Sequence, residues 1–267
     1  MRKHALSMMT STEIRDIPKQ DSVLLIPVGC VEQHGPAGYT GADTILAEHV
    51  AGEVAQRLDH VYVAPSLWYG YTPYTDFPGT VSLRLETLQA LVRDVVFGYF
   101  EHGFRRCIVV NNHGPNEAAI EPVARDIHRL YGASLAILYP WKLAISWAKE
   151  NFAEMSGEIG HGGEPTISVM MTLAPGFVDT SVAAERGYVR DGGEIDVVSY
   201  RSARFEGQEV GLFSDPRTIL PSGASGNWTS ASEERGGIVL DYVVEFATRF
   251  VRSFAAREAG SKPTTSA

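Results

Sequence analysis

Residues 22–58 read SVLLIPVGCVEQHGPAGYTGADTILAEHVAGEVAQRL, and the reading of this stretch decides the fold. Its opening run, Ser22 to Val28, is short, apolar and β-branched, which suits a buried strand. A polar stretch containing glycine follows. From Asp43 onward the apolar residues recur at three- and four-residue spacing, the pattern of a helix packed by one face. The segment is therefore read as strand, loop, helix.

The same cycle recurs downstream. VYVAPSLWYG at 61–70 is an apolar run that leads into a Pro/Gly/Tyr-rich loop, and LETLQALVRDVVFGYFEHG at 85–103 is helical in spacing and stops at Gly103. CIVVNN at 107–112, a Gly/Pro break and NEAAIEPVARDIHRLYG at 116–132 form the third cycle, and ASLAILYP at 133–140 predicts a fourth strand. Strands alternating with helices imply a three-layer α/β/α sandwich around a mostly parallel sheet. The later stretch MSGEIGHGGEPTISVMMTLAPG, residues 155–176, has a polar, Gly-rich opening and then an apolar helix ending near Pro175. Residues 204–235 show little periodicity and are expected to form a long surface loop, and GIVLDYVVEFATRFVRSF at 237–254 closes the chain as an amphipathic helix. The expectation is one α/β domain over residues 1–267, with about 1–11 and 258–267 flexible.

Composition narrows the function. With 44% hydrophobic residues in 267, the chain has material for a sizeable core. Its formal net charge of -9 offers no basic stripe for phosphate backbones or anionic membranes, so a small polar substrate is expected and neither nucleic acid nor membrane is. The two cysteines, Cys30 and Cys107, lie in separate apolar runs without CxxC spacing and read as buried thiols of a reducing compartment. The first residues lack the apolar core of a signal peptide, and no run reaches 18 apolar residues, so the expected location is the cytoplasm.

In open parallel sheets, ligand groups gather beyond the carboxyl ends of the strands. Three polar clusters fall at such ends. Glu32 and His34 are two residues apart, so in extended backbone they point the same way, and Asp43 follows at the start of the predicted helix. Asp43 alone would be a good helix cap; in this company it also offers a carboxylate to a metal. His113 directly follows the third strand, and His161 stands with Glu164 among glycines. Imidazole and carboxylate groups on three loops at one sheet edge point to a hydrolytic metal centre. Tyr71, Tyr74, Thr80 and Asn116, in the loops beside these motifs, are the expected substrate contacts. Glu48, His49 and His128 lie on predicted helices and are expected to have surface or helix-end roles.

The string PVGCVEQHGPAGYTGADT closely resembles the creatininase family signature, in which a Pro-Val-Gly strand end precedes Glu-Gln-His-Gly and an Asp eleven residues after the Glu. The resemblance continues through FPGT at Phe77 to Thr80, the Asn/His/Gly block at 111–116, His161-Gly162-Gly163 and a late Gly/Asn/Ala-Ser-Glu-x-Gly segment near Gly226 to Gly236. It implies a three-layer α/β domain, usually a homohexamer, with two divalent ions of zinc, manganese or iron and hydrolytic ring-opening or amide-cleaving activity. By position, Glu32 and His113 would serve one metal, His34 the other, and Asp43 would bridge them. The pair would activate a water and polarise a carbonyl while His161 moves a proton to the leaving group.

Three departures limit what transfers. Pro115 stands where creatinine-cleaving members carry a further metal-binding Glu, so Glu164, with Glu117 second, is the expected replacement. Thr166 stands at the Glu of the His-x-Gly-x-x-Glu-Thr-Ser pattern. Gly157 and Ala37 replace a Trp and a His found in relatives, so creatinine itself is not the expected substrate. The leading expectation is a hydrolase of a small cyclic amide. The alternatives are a carbon–carbon hydrolase of a cyclic ketone such as a dehydro-inosose, a peptidase of a modified peptide, and an inactive metal-stabilised binding module.

Overall fold

A computed structural model describes residues 4–257, apart from 75–76, 184, 186 and 190–192. Four strands, β1 (Val23–Val28), β2 (Val61–Val63), β3 (Arg106–Asn111) and β4 (Leu135–Leu138), form one parallel sheet in the order β2-β1-β3-β4. Side chains alternate across a strand, and both faces of this sheet are covered. Val23 and Leu25 of β1 and Ile108 and Val110 of β3 pack on one side against α2 (Ala42–Arg57) and α8 (Glu233–Ala255). Leu24, Ile26, Cys107 and Val109 pack on the other side against α3 (Leu85–Glu101) and α4 (Glu117–Tyr131). Val23, Leu24, Leu25, Ile26 and Val28 are all at most 1% exposed. Burying side chains of this size contributes roughly 1.5–3 kcal/mol each, which makes β1 the centre of the fold. This is the expected three-layer α/β/α sandwich.

The other α-helices among the described residues are α1 (Ser11–Arg15), α5 (Pro140–Asn151), α6 (Thr166–Leu173) and α7 (Pro216–Ile219), and β5 (Ile195–Ser199), β6 (Ser202–Phe205) and β7 (Gln208–Gly211) form an antiparallel sheet. The structure therefore differs from the sequence reading at 204–235, where a loop was expected. The end of β6, all of β7, α7 and the start of α8 occupy it. Exposed antiparallel hairpins need no apolar periodicity on both faces, and β7 is exposed throughout. The N-terminal residues also differ from the expectation of flexibility: Ala5 bridges Val63, the Val63 N–H donates to the His4 carbonyl at 2.9 Å, and Leu6 is buried. The tail at 258–267 lies outside the described residues. No helix among the described residues is long and apolar enough to cross a membrane.

α8 crosses α6 very closely. A Cβ on Gly236 would stand 2.0 Å from the Ser168 carbonyl oxygen, whereas one on the adjacent Gly237 would meet nothing within 4 Å. Gly236→Ala should destabilise the protein by roughly 1–3 kcal/mol through overpacking. Gly237→Ala should stabilise it by up to ~1 kcal/mol, since alanine is the better helix former in open space. Paired denaturant unfolding curves check both, and equal effects at the two positions would contradict this packing.

Candidate metal centre

β1 and β3 are neighbours in a parallel sheet, so their carboxyl ends open side by side. Val28 pairs with Asn111, and the Asn112 N–H donates to the Val28 carbonyl at 3.0 Å. The loop after β1 carries Cys30, Glu32 and His34, and the turn after β3 carries His113. Asp43 comes from the first turn of α2. Its place differs from the sequence reading, because the cap position belongs to Gly41 and Asp43 lies inside the helix. There it is 2% exposed, with the positive end of the helix dipole behind it.

The two carboxylates and two imidazoles converge. His113 Nδ1 is 3.1 Å from Glu32 Oε2 and 3.1 Å from Asp43 Oδ2. His34 Nε2 is 3.8 Å from Asp43 Oδ1, so Asp43 presents one oxygen to each histidine. In both rings the other nitrogen is committed to backbone. His113 Nε2–H donates to the Tyr71 carbonyl at 3.0 Å, and His34 Nδ1–H donates to the Glu32 carbonyl at 3.1 Å. A carbonyl can only accept, so each contact puts a proton on the remote nitrogen and leaves the facing one for a ligand role. Asp43 Oδ1 also accepts from Trp141 Nε1 and from Asn112 Nδ2, which hold its carboxylate in place.

Ligand atoms of Cys30, Glu32, Asp43 and His113 all lie within 4.8 Å of one another, and those of Glu32, His34 and His161 do so as well. Glu32 is common to both sets. Such a mixture of carboxylate and imidazole donors, with second protons tied back to carbonyls, fits divalent cations. Burial alone would raise the Glu32 carboxyl, yet His113, His161 and His34 hold it well below the usual carboxylate range. Burial likewise opposes the charge on His113, and Glu32 and Asp43 overcome it, pushing its pKa up to about 10.

His161 enters from the Gly-rich loop after α5. Gly162, at φ +66°, lets this loop run within contact of the His34 backbone, where a Cβ would come within 2.9 Å of the His34 carbonyl. The His161 and His34 rings stack with centroids 5.0 Å apart. His161 Nε2 lies 2.8 Å from the Gln33 carbonyl and 3.2 Å from the Gln33 side-chain amide nitrogen, so Gln33 holds this edge of the ring from both its backbone and its side chain. Burial lowers the His161 pKa against the pull of Glu32. These groups share a cavity of about 400 Å³ with Tyr74, Trp141, Lys142 and Tyr200.

The sequence profile of the family described as Creatininase, creatinine amidohydrolase, matches residues 7–251. The chain belongs to the creatininase family. It is 30% identical over 268 residues to the 3-dehydro-scyllo-inosose hydrolase of Thermotoga maritima, covering 96% of this chain and 85% of that one. It is 30% identical over 241 residues to the creatinine amidohydrolase of Pseudomonas putida, covering 84% of this chain and 86% of that one. A solved creatininase described as the Mn form superposes with a TM-score of 0.75 at 25% identity, covering 96% of this chain and all of that one. This creatininase-family chain is a hydrolase.

The structure brings Glu32, His34, Asp43, His113 and His161 together, and it places Glu164 elsewhere. Glu164 Oε1 accepts from Ser168 Oγ at 2.7 Å, that hydroxyl accepts from the Ser232 N–H at 3.0 Å, and Arg235 Nη1 is 3.7 Å from the same carboxylate. The carboxylate thus ties the start of α6 to the start of α8 and belongs to neither ligand set. Glu117, the second candidate, pairs with Lys142 at 3.1 Å near the surface. Of the expected substrate contacts, Tyr74 lines the cavity. Tyr71 serves His113 through its carbonyl. Thr80 Oγ1 accepts from the Gln33 N–H at 3.0 Å, and Asn116 is spent on the Tyr71 N–H at 2.9 Å and the Gly29 carbonyl at 2.9 Å. Glu48 accepts from Trp68 Nε1 at 3.1 Å, away from the centre.

Sequence reasoning missed Cys30, whose thiol donates to Asp43 Oδ2 at 2.9 Å, along with Gln33, Asn112 and Tyr200. Position two before Glu32 was a usable signal for Cys30, since in extended backbone it shares that face.

In metal-free protein the raised His113 pKa has a definite sign. Stability from this group is complete below its ordinary value of 6.5 and is lost as pH rises from there to about 10. The lowered Glu32 and Asp43 contribute above their ordinary values of 4.5 and 3.8 and lose that contribution in acid. Chelator-treated protein should therefore lose stability between pH 6.5 and 10, and His113→Gln should flatten that slope. A denaturation series in pH compares the two, and parallel slopes would refute the assignment.

Proposed function

We propose that this chain is a divalent-metal-dependent hydrolase that opens a small cyclic carbonyl compound within a single hydrolase domain, and that the ring is a hydroxylated cyclic ketone of the inosose class. The observation that carries the metal reading is the convergence of Glu32, Asp43, His34 and His113, with the remote protons of both histidines fixed on backbone carbonyls. Glu32 and His113 would hold one ion, His34 the other, and Asp43, with one oxygen toward each histidine, would join them. Zinc, manganese and iron all suit this donor set. Such ions supply Lewis acidity, which lowers the pKa of a water and polarises a carbonyl.

The chain's own groups do the rest. The Asn112 and Trp141 donors keep the Asp43 carboxylate aimed at the centre. In ring opening, water adds to the carbonyl carbon, the bond from that carbon to its ring neighbour breaks, and the departing atom takes up a proton. His161, held in place by Gln33, moves that proton. The similarity to the inosose hydrolase, over 96% of this chain and 85% of that one, favours the ketone, and the absence of the expected Glu at Pro115 and Trp at Gly157 argues against creatinine. A cyclic amide is the second reading, supported by the similarity to the creatinine amidohydrolase. A homohexamer accords with the sequence resemblance.

Elemental analysis of protein purified without chelator should find about two equivalents of metal per chain, largely lost in Asp43→Ala. His161→Ala should keep its metal and lose about a hundredfold to ten-thousandfold in kcat on the ring substrate. Protein that takes up no metal on reconstitution would end this reading.

A further inference from the structure

Tyr200 lies in the turn between β5 and β6 and is among the residues that line the cavity holding Glu32, His34, Asp43, His113 and His161. Three rings frame it. Tyr74 stacks on it with centroids 6.3 Å apart and planes 6° apart, while Tyr188 meets it edge-on at 5.8 Å and His161 at 6.3 Å. This packing leaves the phenol little freedom to turn. The Tyr188 hydroxyl has a partner in Ser225. The Tyr200 hydroxyl is fully buried and has no hydrogen-bond partner among the described residues. Native proteins rarely leave such a group unmatched, and where they do, a functional role is one of the reasons. Burial raises the Tyr200 pKa and keeps the phenol protonated, so what it offers is an O–H donor.

The reacting carbonyl belongs beside Glu32, Asp43 and the two facing histidines. Tyr200 touches His161 and lies one ring further out, where it meets a different part of a bound ring. We infer that Tyr200 determines substrate specificity, its hydroxyl donating to a ring hydroxyl of a polyhydroxylated cyclic substrate. The inference rests on the hydrolase reading above and adds to it the group that distinguishes a polyol ring from a bare cyclic amide. A site built to bond a substrate hydroxyl discriminates strongly against analogues that lack it.

Tyr200→Phe tests this, because it removes only the hydroxyl and keeps the framed ring. Loss of an unmatched buried hydroxyl should leave the thermal midpoint of the ligand-free protein unchanged or raised. The KM for a hydroxylated cyclic ketone should rise about three- to tenfold with kcat nearly unchanged, the size of one hydrogen bond between neutral groups. Stabilisation by myo-inositol, a ring polyol without a carbonyl, should be present in the metal-loaded native protein and lost in the variant. A variant with a lowered midpoint and unaltered KM, or a native protein that myo-inositol does not stabilise, overturns the inference. Binding of myo-inositol through Tyr200 without hydrolysis of any cyclic ketone or amide would leave this inference standing and end the hydrolase reading. Ketone hydrolysis untouched by Tyr200→Phe would do the reverse.

Discussion

His113 stands between Glu32 and Asp43, its Nδ1 equidistant at 3.1 Å from an oxygen of each, and much of the molecule serves to keep those three side chains buried together. Two carboxylates at such range repel each other, and burial removes the water that would screen them. A positive charge between them is what makes the arrangement tolerable, whether a proton on imidazole or a cation in its place. The Tyr71 carbonyl fixes which nitrogen faces inward. Asn116 in turn accepts from the Tyr71 N–H and donates to the Gly29 carbonyl, so the loop that orients His113 is stitched to the loop that carries Glu32.

The sheet explains why these groups can meet. β1 and β3 are adjacent and parallel, so the chain leaves both at the same edge and the helices that follow begin there. α2 brings Asp43 into the site in its first turn, with the helix dipole favouring the carboxylate. The apolar side chains of β1 and β3, buried against helices on both faces, supply the rigidity that a constellation of charged groups cannot supply for itself.

Glu164 shows how a residue of the right type can serve another purpose. It sits three residues from His161 in a Gly-rich motif, as a ligand might, but its carboxylate is drawn to the Ser168 hydroxyl and the Arg235 guanidinium where α6 and α8 begin. A buried carboxylate needs partners, and these were nearer. Cys30 is the converse case: an ordinary buried thiol by sequence, it donates to Asp43 in the middle of the ligand set. The antiparallel sheet of β5, β6 and β7, unannounced by any periodicity, delivers Tyr200 to the same cavity.

By itself the sequence determined the alternation of strand and helix, the parallel central sheet, and Glu32, His34, Asp43, His113 and His161 as side chains that the loops at one sheet edge would bring together. Those features follow from local periodicity and from motif residues at strand ends, and both can be read along one dimension. Only the tertiary structure decided which nitrogen of each histidine faces inward, that Asp43 lies within its helix and not at its cap, that Glu164 braces two helices, and that Tyr200 joins the cavity. Each depends on a partner distant in sequence: Tyr71 for His113, Ser232 for Ser168, His161 for Tyr200. Hydrogen bonds and ring contacts are satisfied by whatever the fold brings within a few ångströms, and spacing along the chain carries no record of that.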